Sequence, residues 1–107
     1  VRATLEHAGA HVEAVATASD ARREMLEEAP DVLVSDILMP EENGYSLIAS
    51  LRTAGVTTPA IALTAYARRE DADEARSAGF QMHLPKPVDA VRLIDAVATL
   101  HEQRTIH

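Results

Sequence analysis

The sequence predicts an α/β fold, a doubly wound parallel sheet covered by helices on both faces, and three observations predict it. Short apolar runs of strand length alternate with segments of helical period along all 107 residues. Val32, Leu33 and Val34 form a continuous apolar run, as suits an inner strand of a parallel sheet. Asp36, Thr64 and Lys86 each stand where such a run gives way to a loop, and open α/β sheets bind ligands at the carboxyl ends of their strands.

The elements follow in order. Val1 to Ala8 reads as the tail of a helix, with Leu5 and Ala8 on one side and Gly9 as its stop. His11 to Ala16 alternates weakly with period two, as an edge strand does. Ser19 caps the next helix and Asp20 favours its positive end; Met25, Leu26 and Ala29 give it an apolar stripe and Pro30 ends it. The Asp36 strand comes next, broken by Pro40 and the Asn43-Gly44 pair. Tyr45, Leu47, Ile48 and Leu51 recur at helical spacing up to Gly55. Ala60 to Thr64 is a second buried strand. Arg68 to Ala78 is charged on most faces, so it predicts a helix lightly packed on the sheet and stopped by Gly79. Phe80 to Leu84 is the last strand. After Pro85-Lys86-Pro87, Val88 to about Gln103 forms the final helix, with Val91, Ile94, Val97, Ala98 and His101 on one stripe. No internal repeat, low-complexity tract or linker interrupts this order, so residues 1–107 read as one domain.

Composition narrows the function. Ten basic against seventeen acidic residues give a net charge of −7, which repels phosphate backbones and anionic membranes, so no nucleic-acid or membrane partner is expected. Three aromatic residues cannot build a stacking platform for single strands. With no cysteine there is neither a disulfide framework nor a thiolate metal site. No apolar run approaches spanning length and no signal-peptide pattern opens the chain, so a cytoplasmic location is expected. His7, His11, His101 and His107 have no ligand spacing with carboxylates, which argues against zinc.

Right-handed crossovers would bring the three strand ends to one edge of the sheet. A carboxylate, a hydroxyl and an ammonium there suit a small anion, with Lys86 as cation, Thr64 as donor and Asp36 as nucleophile or metal ligand. Over nearly its whole length the chain resembles the receiver domain of bacterial two-component response regulators. The resemblance is carried by SDILMPEENGY, IALTA and AGFQMHLPKP, in which Asp36 matches the phosphoacceptor, Thr64 the hydroxyl and Lys86 the phosphate-binding lysine. It implies a flavodoxin-like fold with strand order 2-1-3-4-5. It also implies transfer of a phosphoryl group to Asp36 from a histidine kinase or histidine phosphotransfer domain. The implied Mg2+ would be bound by Asp36, the backbone carbonyl of Leu38 and acidic residues after the first strand. The Lys86-Pro87 peptide would be cis. Thr64 and His83 occupy the positions of the family's switch residues, and histidine there would add pH sensitivity. Leu38 and Tyr66 would flank the path of the hydrolytic water; both are bulky, so slow self-dephosphorylation is expected.

The family's first strand and its acidic pair have no counterpart in these residues, and Glu41 and Glu42 in the loop after Asp36 read as solvated. That strand is central in the implied order, and burying about five apolar side chains at roughly 1.5–3 kcal/mol each is worth about 10 kcal/mol. Three arrangements would resolve the gap: upstream residues supply the strand, the strand at 11–16 pairs directly with the Asp36 strand, or copies exchange elements in a homodimer. The first is the expectation. The leading function is a phosphoacceptor receiver whose catalysis is limited to gaining and losing one phosphoryl group, so it is not a conventional enzyme; the alternative is a phosphorylation-independent docking or dimerisation module. The RRED run at Arg68 to Asp71 reads as a solvated helix start with a weak claim to be an interface. A haloacid dehalogenase-type hydrolase needs a second Asp two residues after the nucleophile, where this chain has Leu38. A cobalamin module needs a histidine near the same loop, which is absent. The GFQMHLPKPVD segment resembles receivers of hybrid kinases.

Overall fold

A computed structural model describes residues 3–7, 10–15, 17–27, 30–38, 42–65 and 68–105. Its elements run β1 (Ala3–His7), β2 (Ala10–Val15), α1 (Ala18–Glu27), β3 (Val32–Asp36), α2 (Gly44–Thr53), β4 (Ala60–Thr64), α3 (Arg69–Ala78), β5 (Met82–Pro85) and α4 (Ala90–Thr105). The strands form one five-stranded sheet in the order β1-β2-β3-β4-β5. Strands β2 to β5 are parallel and β1 is antiparallel to β2.

One expectation changes here. Ala3–His7 is a strand and not the tail of a helix. A helical piece that short has little stability of its own, whereas Ala3–His7 pairs antiparallel along β2, from Ala3 opposite Ala14 to His7 opposite Ala10. Strands β2 to β5 keep the order implied for a receiver whose first strand is missing, with β2 bonding β3 directly, from Val12 opposite Val32 to Val15 opposite Ser35. Within these residues the strand at 10–15 pairs directly with the Asp36 strand. Strand β1 covers the outer edge of β2, which would otherwise present unpaired N–H and C=O groups.

Period-two alternation divides the core between the two faces of the sheet. Leu33, Ala60 and Ala62 face the helices α1 to α3, packing with Ala18, Ala21, Leu47, Ile48, Leu51 and Ala75. Val12, Val32, Val34 and Ile61 face α4 and pack with Ala96, Val97 and Leu100. The central strands are therefore buried on both sides, as their continuous apolar sequence demands.

Local chemistry sets the element ends. Thr17, and not Ser19, caps α1: its Oγ1 accepts the Asp20 N–H at 3.1 Å. Asn43 caps α2 by accepting the Ser46 N–H at 2.8 Å, and Gly55 follows the helix at φ 92°, in the left-handed region that favours glycine. Phe80 lies between α3 and β5 and not in β5; its N–H donates to the Ala75 carbonyl at 2.9 Å and closes the end of α3. Asp89 accepts the Val91 N–H at 2.8 Å and starts α4 there. That start turns Leu93, Ala96, Val97 and Leu100 inward and leaves Val91, expected on the apolar stripe, 66% exposed.

Candidate functional site

Hydrogen bonds at the carboxyl edge of the sheet hold the three strand ends together. The Ile37 N–H donates to the Leu63 carbonyl at 3.1 Å, and the Lys86 N–H donates to the Thr64 carbonyl at 2.7 Å. Gly44 N–H donates to the Ile37 carbonyl at 2.7 Å, folding the loop after Asp36 back onto the strand end. Only glycine fits there: a Cβ on Gly44 would lie 2.6 Å from the Asp36 carbonyl oxygen and 3.0 Å from Ile37 Cα. Asn43-Gly44 thus does two jobs, capping α2 and permitting this close approach.

Asp36, Thr64 and Lys86 all line one cavity of about 230 Å3. Lys86 Nζ makes an ion pair with Asp36 Oδ1, Thr64 is buried, and both charged side chains keep partial access to solvent. The Lys86-Pro87 peptide is cis. A carboxylate oriented by a cation, with a hydroxyl nearby and a mouth open to solvent, can accept an electrophilic anion.

Leu38 lines the cavity and is 76% exposed. His83 does not line it; it is half-buried on β5, in a crevice with Ala75 and Phe80 between that strand and α3. Tyr66 lies outside the described residues.

Sequence reasoning missed part of the wall. Tyr45, Arg68, Asp71 and Glu74 also line the cavity. Burial raises the Tyr45 hydroxyl pKa above its ordinary value, helped by the carboxylates of Glu74 and Asp71. Asp71 and Glu74 are three apart on the helix that directly follows β4, and that spacing was the available signal. Glu42, expected to be solvated, is instead tied to α1: Arg22 donates to its Oε1 at 2.7 Å and to Ser50 Oγ at 3.1 Å. The Arg22 hydrogen bond, followed by one from Ser46, holds the Glu42 carboxyl below the ordinary range. Nothing in the sequence pairs positions 22 and 42.

The metal donors are few. Among the described residues no three His, Cys, Asp or Glu side chains stand where they could hold an ion together, although Asp71 and Glu74 share the cavity with Asp36. One carboxylate already paired with Lys86, and the Leu38 carbonyl, fall short of the octahedral oxygen set that Mg2+ demands. These residues do not fit the ion by themselves.

Fold and site together define a doubly wound α/β protein with a carboxylate, a hydroxyl and an ammonium gathered at the strand ends. Residues 1–98 match the family model of the response regulator receiver domain, and the chain belongs to that family. It is 46% identical over 99 residues to an uncharacterised 14.6 kDa protein of Leptolyngbya boryana, covering 91% of this chain and 76% of that protein. It is 39% identical over 80 residues to hybrid signal transduction histidine kinase D of Dictyostelium discoideum, covering 69% of this chain but 5% of the kinase. Among solved structures, the receiver domain of the Francisella response regulator 1452 superposes with a TM-score of 0.78 at 30% identity, covering 83% of this chain and 74% of that one. The chain is thus homologous to the receiver domains of both histidine kinases and response regulators, the phosphoacceptor modules of two-component signalling. Receiver domains act with histidine kinases or phosphotransfer partners and generally bind Mg2+ at the phosphorylation site. No described helix is long and apolar enough to cross a membrane.

Proposed function

We propose that Asp36 accepts a phosphoryl group from a phosphohistidine on a histidine kinase or histidine phosphotransfer domain, and that the resulting charge switches an attached domain or a partner in the cytoplasm. The observation that carries this reading is the Asp36–Lys86 ion pair at the mouth of a cavity that Thr64 also lines. Lys86 holds Oδ1, which leaves Oδ2 to attack phosphorus. The new P–O bond forms as the P–N bond breaks, and the departing imidazole nitrogen keeps the electron pair and takes up a proton. The Lys86 ammonium and the Thr64 hydroxyl offset charge on the transferring oxygens, and such preorganised donors are each worth about 100-fold or more in rate. Leu38 shields the product from water, so hydrolysis is slow. Any Mg2+ would need donors beyond Asp36 and the Leu38 carbonyl.

The test is the intact mass of the chain after incubation with acetyl phosphate, with and without Mg2+, beside Asp36→Asn. One added phosphoryl group in the parent and none in the variant is the expected result. A parent that stays unlabelled in both conditions, or a variant that labels equally, would sink the assignment.

A further inference from the structure

Three carboxylates, Asp36, Asp71 and Glu74, and two cations, Lys86 and Arg68, line the cavity. Lys86 is committed to Asp36. Arg68 is committed elsewhere: its Nε donates to Asp71 Oδ2 at 3.1 Å, so the second cation of the cavity neutralises a carboxylate in the first turn of α3. The Asp71 side chain is only 17% exposed while that of Arg68 is 64% exposed, so the arginine is the partner of this pair open to an arriving phosphoryl group.

Phosphorylation of Asp36 would replace a carboxylate with a group of greater negative charge and three strong acceptor oxygens. Lys86 alone would then face more charge than it does now. A guanidinium presents a planar fork that matches phosphoryl oxygens bidentately, which an ammonium cannot do. We propose that Arg68 is a second phosphoryl-binding residue, which leaves Asp71 for the phosphorylated Asp36 and thereby uncouples the start of α3.

The hand-over is feasible on the α3 side. Asp71 stays at the positive end of the helix, where its charge remains favourable without Arg68. The new negative charge also repels Asp71 and Glu74, both on the cavity side of α3. The helix is poorly anchored against such a push, since Ala75 is its one buried residue among those described. Arg68 is also the N-cap residue of α3, and its side chain makes no capping hydrogen bond to the helix backbone, so turning its guanidinium toward Asp36 would cost the helix no cap. Charge arriving at Asp36 would thus be read out as loosening of the first turn of α3.

This inference rests on Asp36 being the phosphoacceptor, and its test separates the two. Labelling by acetyl phosphate and amide hydrogen exchange in α3 are measured on the parent, Arg68→Ala, Arg68→Lys and Asp71→Asn. The expected result has Arg68→Ala labelling about two- to fivefold more slowly than the parent, the range of one solvent-accessible charge contact. Asp71→Asn, which removes the charge of this ion pair, labels faster. Arg68→Lys recovers part of the rate. Phosphorylation speeds exchange at Glu70 to Asp73 in the parent, while in Arg68→Ala exchange there is fast already and changes little. A parent that labels at Asp36, with Arg68→Ala matching it in rate and in its exchange response, overturns the Arg68 role and leaves the phosphoacceptor intact. A parent that does not label at Asp36 overturns both.

Discussion

Gly44 is the residue where backbone geometry and chemistry meet. Its Cα passes so close to the end of β3 that a methyl group would press on the Asp36 carbonyl oxygen at 2.6 Å. Gly44→Ala should destabilise the protein by about 1–3 kcal/mol, the usual cost of forcing atoms into a packed site. Urea denaturation measures that cost, and acetyl phosphate labelling should slow with it because Asp36 moves too. An unchanged midpoint would mean that the loop yields freely. Leu38 makes a separate case, since it is 76% exposed and contributes little to the core. Leu38→Asn should leave the urea midpoint within about 0.5 kcal/mol and should shorten the lifetime of the phosphorylated form, followed by intact mass over time. A lifetime as long as the parent's would remove Leu38 from the control of hydrolysis.

At the scale of elements, the loop after β3 is held from two directions. Asn43 caps α2 from one side, and Arg22 of α1 grips Glu42 from the other. Asn43→Ala should cost about 1 kcal/mol of stability. The Glu42 contact has a defined pH sign. Its folded-state pKa lies below the ordinary value of 4.5, so its stabilisation is present above that value and is lost as pH falls through the folded pKa. Acid titrations of the parent and Arg22→Ala should therefore be offset by a constant amount above pH 4.5 and converge as pH falls through the folded-state pKa; a constant offset throughout would rule the contact out as a contributor. Helix α3 differs from α2 in anchoring, with Ala75 buried against Gly44, Leu47, Ile48 and Leu51 in α2. Hydrogen exchange should accordingly be faster in α3 than in α2.

Across the whole molecule, stability is concentrated where the central strands are covered on both faces. Leu33 and Ile61 are buried to 1% and 0% exposure on opposite sides of the sheet. Truncating either to alanine should cost about 2–5 kcal/mol. Val91→Ala on the outer face of α4 should change stability by less than about 0.5 kcal/mol. Chemical denaturation of the three variants checks this, and a large loss at Val91 would place an unrecognised contact on α4. The sheet also explains how much could be read in advance. Period-two alternation and short apolar runs identified β2, β3 and β4 because burial itself imposes that pattern. The ends of β5 and α4 were displaced because the bonds made by Phe80 and Asp89 set them, and hydrophobic period does not see such bonds.

The sequence by itself determined the class of the fold and the three residues at the centre of the site. Asp36, Thr64 and Lys86 each follow an apolar strand, and parallel strands joined by right-handed crossovers must deliver their carboxyl ends to one edge. Tertiary structure alone decided which strands are neighbours. Whether residues 3–7 form a helix or an edge strand depended on what β2 could pair with, and β2 paired with β3 on one side and with β1 on the other. It also decided the outer ring of charge, because Arg22 meets Glu42 across 20 residues and Arg68, Asp71 and Glu74 face Asp36 only once α3 is folded over the sheet. Contacts of that kind join side chains from different elements, and local sequence pattern carries no record of them.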